Sequence, residues 1–418
     1  MNIRTIAINS ATGLIHDIIF QCAYKTKIKD FSRSRKLNFA TIAGMLLRMV
    51  KSSIQIECNF MGDLMKIEPA SKQAFSQARS KILPEAFQKI HEDGIRVQYT
   101  HAQSHGLWKT FRLIACDGST LRLPFSEELE AEFGRYPGKG EEEKFPVMAR
   151  ISEYTDITTK LVLSGCIESY NVSEEKLAAG QLEELVPRMR ILGQSKLLFV
   201  YDRGYPSEKF IDQHIRLNVD LLFRLPKDFN KAVTEIAKWA DTEGFILREG
   251  WPLLRIVKIP LSSGETEFLL TTLSDKTYSL TDLSEVYQGR WTSMEEGYKK
   301  QKIMMQLENF SGRTVTAIRQ EYWATLVVAN LLEMGCIEIE GCWIPGNLPK
   351  RHVNRSVLFG SMRDATIQVI LGIIPPREYE QKADEIARRN MLKLRPDRNY
   401  SRAGVNKPKR HHVYRRAC

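Results

Sequence analysis

The order of short apolar segments between Phe111 and Pro226 constrains this chain more than any other feature. FRLIACDGSTLRLP reads as a strand that carries one acid near its end. VMARISEYTDITTKLVLSGCIESY reads as two strands around a turn at Tyr154–Thr158. A Glu-, Leu- and Ala-rich helix is predicted from Ser173 to Arg190. A buried strand, SKLLFVYDRGYPS, then ends in Asp202; Ser207 can cap the helix EKFIDQHIRL, and VDLLFRLP is a further strand. Three strands followed by helix, strand, helix and strand predict a mixed α/β layer.

The flanking segments differ in texture. Residues 1–105 show little β-branched alternation and several amphipathic runs, which predicts an all-α N-terminal domain. Within it Ser71 suits an N-cap, and Lys72, Gln73, Gln77, Arg79 and Lys81 give the following helix a polar, basic surface. Such side chains can reach phosphates and base edges, although an ordinary wetted helix face accounts for them equally well. Residues 106–226 form the first part of the α/β core. Residues 227–279, with WPLLRIVKIP, a turn at Ser262–Gly264 and TEFLLTTL, read as a β-rich insertion. Ser279 and Asp282 resemble a capping pair that opens a long helix, TDLSEVYQGRWTSMEEGYKKQKIMMQL. That helix and the apolar IRQEYWATLVVANLLEM make residues 280–375 a helical second part of the core. Residues 376–418 are a polar helix and a basic tail.

Composition narrows the function classes. The chain has 418 residues, enough for two or three domains, and its 43% hydrophobic and 27% charged content is that of a globular protein. No uninterrupted apolar run approaches the roughly 18 residues of a membrane span, and the first twenty residues lack a secretory pattern, so no membrane partner and a cytoplasmic location are expected. The seven cysteines are scattered without a C-x-x-C pair, which indicates neither a disulfide framework nor a zinc ribbon. Of the net charge of +11, residues 388–418 carry +10, from eleven Lys/Arg and one Asp, leaving +1 for the rest. A basic arm of this kind fits a polyanionic partner, while a merely solubilising tail is the bland alternative.

The chemistry rests on three acids. Asp117 and Asp202 each stand where an apolar strand gives way to small or turn-forming residues, a place where α/β sheets present functional side chains; a turn or helix cap is the competing role. On the long helix, a step of about 100° per residue aligns Tyr287, Trp291, Met294, Tyr298 and Met305 in one apolar stripe. Glu295 and Lys302 fall on or beside that stripe, Arg290 lies on its other shoulder, and Glu296 points away. An acid and a lysine on the inward side need partners, since unpaired buried charge is costly; a Glu–Lys pair bordering the core is the structural alternative. Three carboxylates from two strands and a helix could hold two divalent ions, roughly 3.5–4 Å apart, of the kind that promotes phosphoryl transfer, and Mg²⁺ suits such oxygen donors. There is no P-loop, dinucleotide fingerprint, H-E-x-x-H or G-x-S-x-G to compete, and His101 and His105 lack further ligands.

ACDGSTLRLP, FVYDRGYPS and YQGRWTSMEEGYKKQK resemble, in order, the two Asp segments and the Y-x₂-R-x₃-E-x₆-K signature of the DDE transposases of the insertion-sequence-4 group; PASKQAFSQAR resembles a stretch of that family's helical N-terminal part. Here four residues, not three, separate Arg290 from Glu295, and Met294 takes the strict position; six residues still separate Glu295 from Lys302. The resemblance implies an RNase H-like mixed sheet with flanking helices, interrupted by the insertion, and a bacterial protein acting on DNA. It implies Asp117, Asp202 and Glu295 as catalytic ligands of Mg²⁺, with Mn²⁺ a substitute. Tyr287, Arg290 and Lys302 would grip phosphates near the cut, with Lys72, Gln77 and Arg79 contacting DNA from the N-terminal part. It also implies a homodimer that joins two transposon ends, cuts at the terminal inverted repeats and inserts into target DNA. A catalytically inactive descendant that only binds DNA, and another two-metal RNase H-like nuclease, stand as the alternative readings.

Overall fold

Short polar side chains set most helix starts, Ser71, Ser207 and Ser279 among them, as the sequence predicts. The computed structural model describes residues 2–393 apart from 34, 49–51, 137–145, 227–228, 230–233, 236–237, 239–241, 261–264 and 348–349. Most of the basic tail and the turn at 262–264 therefore lie outside the described residues. Helices α1 (Ile3–His16), α2 (Ile18–Ala23), α3 (Phe39–Leu47), α4 (Ile54–Met65), α5 (Lys72–Arg79) and α6 (Glu85–His101) make up the N-terminal part. Asn2, Asp17, Asn38, Ser53 and Ser71 each accept a backbone N–H at the start of the first five.

The chain then builds one sheet. Strand β1 (Arg112–Arg122), helix α7 (Glu127–Phe133), strands β2 (Met148–Asp156) and β3 (Val162–Ser169), helix α8 (Glu174–Ile191), strand β4 (Leu197–Tyr201), helix α9 (Glu208–Arg216) and strand β5 (Asp220–Leu225) follow in order. β1 to β3 form an antiparallel meander, while β4 lies parallel to β1 and β5 parallel to β4. The turn between β2 and β3 falls after Asp156, a little later than the sequence pattern places it. The resulting order 3-2-1-4-5 is that of an RNase H-like core.

The β-rich segment is not a separate module among the described residues. Its strands β6 (Glu243–Ile246), β7 (Leu254–Pro260) and β8 (Thr266–Thr271) continue the same sheet, with Leu222 to Leu225 of β5 paired to Thr271 to Phe268 of β8. The eight strands run β3-β2-β1-β4-β5-β8-β7-β6. Pairing β5 removes an open edge that would otherwise present unsatisfied backbone groups.

The long helix α10 (Leu280–Lys299) opens with the predicted capping box between Ser279 and Asp282 and closes in a π-helical turn, Lys300–Met304. Helix α11 (Val315–Glu340) follows, then β9 (Arg351–Val353), α12 (Arg355–Ile370), α13 (Pro376–Arg389) and β10 (Met391–Lys393), which pairs with β9. α11 is long and apolar enough to cross a membrane, yet 89% of its apolar window is buried inside the protein. It is the core helix that the run IRQEYWATLVVANLLEM predicts. α1, α3 and α6 pack directly on it, and Ala7, Phe39 and Phe87 share one buried cluster with Tyr322, Leu326 and Leu331. The N-terminal helices and the C-terminal half thus share a core.

One residue expected at a DNA surface is part of that core. Arg79 is 4% exposed. Its guanidinium donates to Gln320 (3.0 Å), Ser311 (2.7 Å), Glu321 (3.2 Å) and the Ala317 carbonyl (3.2 Å). Phe75, one turn earlier on α5, is buried on the same side, whereas Lys72 and Gln77 are exposed. Helical spacing therefore divides the basic residues of α5 between the two faces. Removing one partner of a buried ion pair strands the other, so Arg79→Met should cost about 3–5 kcal/mol in urea denaturation, and a loss under about 1 kcal/mol would contradict a structural role.

Candidate active site

The polar cluster forms where two parallel strands stop running together. β4 pairs with β1 only from Arg112 to Ala115, and β4 itself ends at Tyr201. Asp117, two residues past that pairing, remains inside β1 and is held on its other side by β2, opposite Glu153. It is therefore not at the end of its strand, as its Gly118–Ser119 neighbours suggest, but at the end of its parallel partner. Asp202 is the first residue after β4, where a turn closes from the Tyr205 N–H to the Asp202 carbonyl. Both carboxylates occupy the C-terminal edge of adjacent parallel strands, the region where open α/β sheets carry their sites.

α10 lies across this edge and presents residues at three- and four-residue spacing, which one helix face allows. The Tyr287 hydroxyl donates to Asp202 Oδ1 at 2.9 Å. Arg290, 1% exposed, places Nη1 3.6 Å from Asp117 Oδ2 and Nη2 3.7 Å from Asp202 Oδ2. Its Nε and Nη1 are buried without a hydrogen-bond partner. The Tyr298 hydroxyl donates to the Asp117 carbonyl at 2.7 Å. Beyond it, Lys302 Nζ donates to Ser119 Oγ (2.7 Å) and the Thr120 carbonyl (2.6 Å), fastening the π-turn to β1.

The third expected ligand is elsewhere. Met294, one turn past Arg290, occupies the inward face and is 2% exposed. Glu295 follows it by one residue, about 100° around the helix. Its side chain is 47% exposed and pairs with Lys299 at 2.7 Å. Among the described residues no three His, Cys, Asp or Glu side chains are grouped so as to hold a metal ion. Asp117 and Asp202 are thus brought together around Arg290, and Glu295 is not. The stripe is also narrower than the sequence suggests, since Trp291 is 44% exposed. Tyr287, Arg290 and Lys302, expected to grip DNA, are all engaged with protein acceptors in this conformation.

Several residues at the site carry no advance signal in the sequence. Arg224 of β5 lies 3.7 Å from Asp202 Oδ1 and 3.1 Å from Glu267 of β8, so the inserted strands help to build the site. Glu174, the first residue of α8, is held by Arg150 at 2.6 Å. Its carboxyl packs so close to Gly118 that a Cβ there would sit 2.5 Å from the carboxyl carbon. A side chain at position 118 would require the Glu174 carboxyl to move away from Asp117.

Burial pushes the Asp117 carboxyl up to about 6; Arg290 and the Gly118 N–H oppose this, while Glu174 and Asp202 add to it. At Asp202 burial also favours the neutral form, but Arg290, the Arg203 N–H, the Tyr287 hydroxyl and Arg224 outweigh it and hold the group below its usual value. Asp202 is therefore the more readily ionised of the two. Chemically, the pair offers hard oxygen donors to a cation, and the cationic helix face offers donors to an oxyanion.

An RNase H-like sheet with two aspartates where its central parallel strands part defines a class of α/β proteins with a carboxylate site suited to phosphoryl chemistry. The family model "Transposase DDE domain" matches residues 108–331, more than half of the chain, including both aspartates and α10. The chain belongs to this family of DDE transposase domains, as its motifs imply. It is 23% identical over 290 residues to the transposase InsG of insertion sequence element IS4 from Escherichia coli (strain K12), covering 65% of this chain and 63% of that protein. The chain thus spans somewhat under two thirds of that relative's length. A cryo-EM structure of the piggyBac transposase synaptic complex with hairpin DNA shares the fold over 90% of this chain and 84% of that one, with a TM-score of 0.50 and 11% identity.

The raised Asp117 group has a measurable consequence. A proton competes with any cation at this carboxylate below about pH 6, while Asp202 is already ionised. Divalent-ion affinity, read by Mn²⁺ titration, should be level above that pH and fall about tenfold per unit below it. An affinity unchanged down to pH 5 would show that Asp117 is not a ligand.

Proposed function

We propose that this chain is a DNA transposase that cuts at the ends of a mobile element and joins them to target DNA. The observation that carries the reading is the pair Asp117 and Asp202, held by one buried arginine at the edge of an RNase H-like sheet. Membership of the DDE transposase domain family supports it. The substrate is double-stranded DNA bearing terminal inverted repeats, and the working form is a homodimer that brings two ends together.

The residues present fit a divalent ion in part. Asp117 and Asp202 bring hard oxygen donors together at ion-pair rather than hydrogen-bond distance from Arg290, which suits a hard cation, while the unbonded Nε and Nη1 of Arg290 suit an oxyanion. Asp117 and Asp202 would hold the cation, with Mg²⁺ the preferred ion and Mn²⁺ a substitute. Such an ion supplies a water of lowered pKa and charge neutralisation at phosphorus. A second ion does not fit this arrangement, because Glu295 faces solvent. Glu295 remains the proposed third ligand, subject to a change in the helix that carries it.

The chain's own side chains have separable roles. Tyr287 and Arg224 orient the Asp202 carboxylate, while Tyr298 and Lys302 brace β1 on either side of Gly118. With a cation held by the aspartates, Arg290 would serve as a donor to the phosphate at the cut. Lys72 and Gln77, exposed on α5, are proposed to contact DNA outside the cut site. Residues 394–418 supply eight Lys/Arg for sequence-independent attraction to phosphates.

Asp117→Asn should abolish Mg²⁺-dependent cleavage of end-bearing DNA, at least a hundredfold, while gel-shift binding persists. Joining of ends to a target plasmid distinguishes a transposase from a simple nuclease, which leaves no joined product. Removing residues 394–418 should weaken binding to unrelated DNA and flatten its dependence on salt; an unchanged slope would exclude the tail as a phosphate binder.

A further inference from the structure

The inward face of α10 is filled in order by Tyr287, Arg290, Met294 and Tyr298, at intervals of three, four and four residues. The first, second and fourth touch Asp202, both aspartates, and the Asp117 backbone. The third position is the one from which an additional side chain would meet the two carboxylates, and it holds an apolar thioether that cannot ligate a hard cation. The only acids nearby on the helix are the next two residues. Glu295 is bound to Lys299 in solvent, and Glu296 is bound to Lys160 at 2.8 Å.

The helix also contains one residue too many for regular α-geometry, and the place where it is housed is visible. After Lys299 the chain widens into the π-turn Lys300–Met304, which carries an extra residue relative to an α-turn. Consecutive residues of this turn are tied to different elements. Lys300 Nζ meets the buried Glu333 of α11 at 2.6 Å, Gln301 Nε2 meets the buried Glu153 of β2 at 2.7 Å, and Lys302 meets β1. The Met304 carbonyl accepts from Arg363 of α12 at 3.1 Å. Lys302 and Met304 are thereby fastened to β1 and α12, so the slack in the helix lies between Arg290 and Lys302.

We infer that Glu295 is one residue out of register with Asp117 and Asp202, and that the surplus residue responsible is stored in the π-turn Lys300–Met304. Taking one residue out ahead of Glu295, with the π-turn relaxing to α, rotates Glu295 into the slot of Met294 and leaves Lys302 and Met304 in place. Lys299, released from Glu295, then takes the position of Tyr298 as a donor to the Asp117 carbonyl. In its present register the chain has donors for one divalent ion; in the shifted register it has donors for two. This inference rests on the transposase reading for its use, but not for its test.

The test is Mn²⁺ binding to the full chain without DNA, counted by electron paramagnetic resonance. Parent protein should bind one Mn²⁺ weakly. Deletion of Ser293 should bring a second Mn²⁺ and tighten binding at least tenfold, and adding Glu295→Gln to the deletion should cancel the gain. Met294→Glu, which keeps the chain length and puts a carboxylate in the inward slot, should reproduce the gain if the deletion variant fails to fold. Two ions on the parent, with one lost on Glu295→Gln, would overturn the inference; so would no gain from either change. If the second ion appears but no variant cuts end-bearing DNA, the register inference stands and the transposase reading falls.

Discussion

A single buried guanidinium organises the centre of this protein. Arg290 stands between the carboxylates of Asp117 and Asp202, at ion-pair rather than hydrogen-bond distance from each. Two acids at neighbouring strand ends repel one another, and burial raises the cost of keeping them charged. One cation between them makes the arrangement tolerable. The long separations and the unbonded nitrogens indicate a group that balances charge without saturating its partners. The site proposed to admit a cation and a phosphate needs a placeholder of this kind, firm enough to fold around and loose enough to be displaced.

The surrounding ionic ties serve the same end by different means. Lys300 and Arg355 converge on Glu333, which burial disfavours as a charge but which these cations hold ionised, well below the usual carboxylate range. Glu153, opposite Asp117 on β2, has no such cation at bonding distance among the described residues; burial lifts its carboxyl to about 7 while Gln301 and Tyr322 donate to it. One acid is an anchor with its charge fully matched, the other a hydrogen-bond acceptor close to its titration point. Together they pin the π-turn between the helical layer and the sheet. A change of register between Arg290 and Lys302 would have to exchange these two ties.

The sheet extends this logic outward. β6 to β8 do more than decorate the core, because β8 covers the edge of β5 and brings Glu267 against Arg224, which in turn faces Asp202. The N-terminal helices close over α11, so the segment proposed to meet DNA is mechanically continuous with the layer that supports the π-turn.

Much of this was legible from residue patterns. The alternation of strands and helices from Phe111 to Pro226, the Ser279–Asp282 cap, the buried run of α11 and both aspartates can be read locally, because caps, periodicity and strand ends are short-range physics. Helical periodicity also aligned Tyr287, Met294 and Tyr298, but it could not say which edge of that stripe meets the sheet. Packing decided this, leaving Met294 inside and Glu295 and Trp291 outside. Arg79 looks like a surface cation in the sequence because its buried partners, Gln320 and Glu321, lie 241 and 242 residues away. Glu174, Arg224 and Glu153 were silent for the same reason: long-range strand pairing and helix packing create their neighbourhoods. Residue order by itself determined the elements and two of the acids; only the tertiary structure decided which side chains share a charge, since burial and distance are set by contacts between segments far apart in the chain.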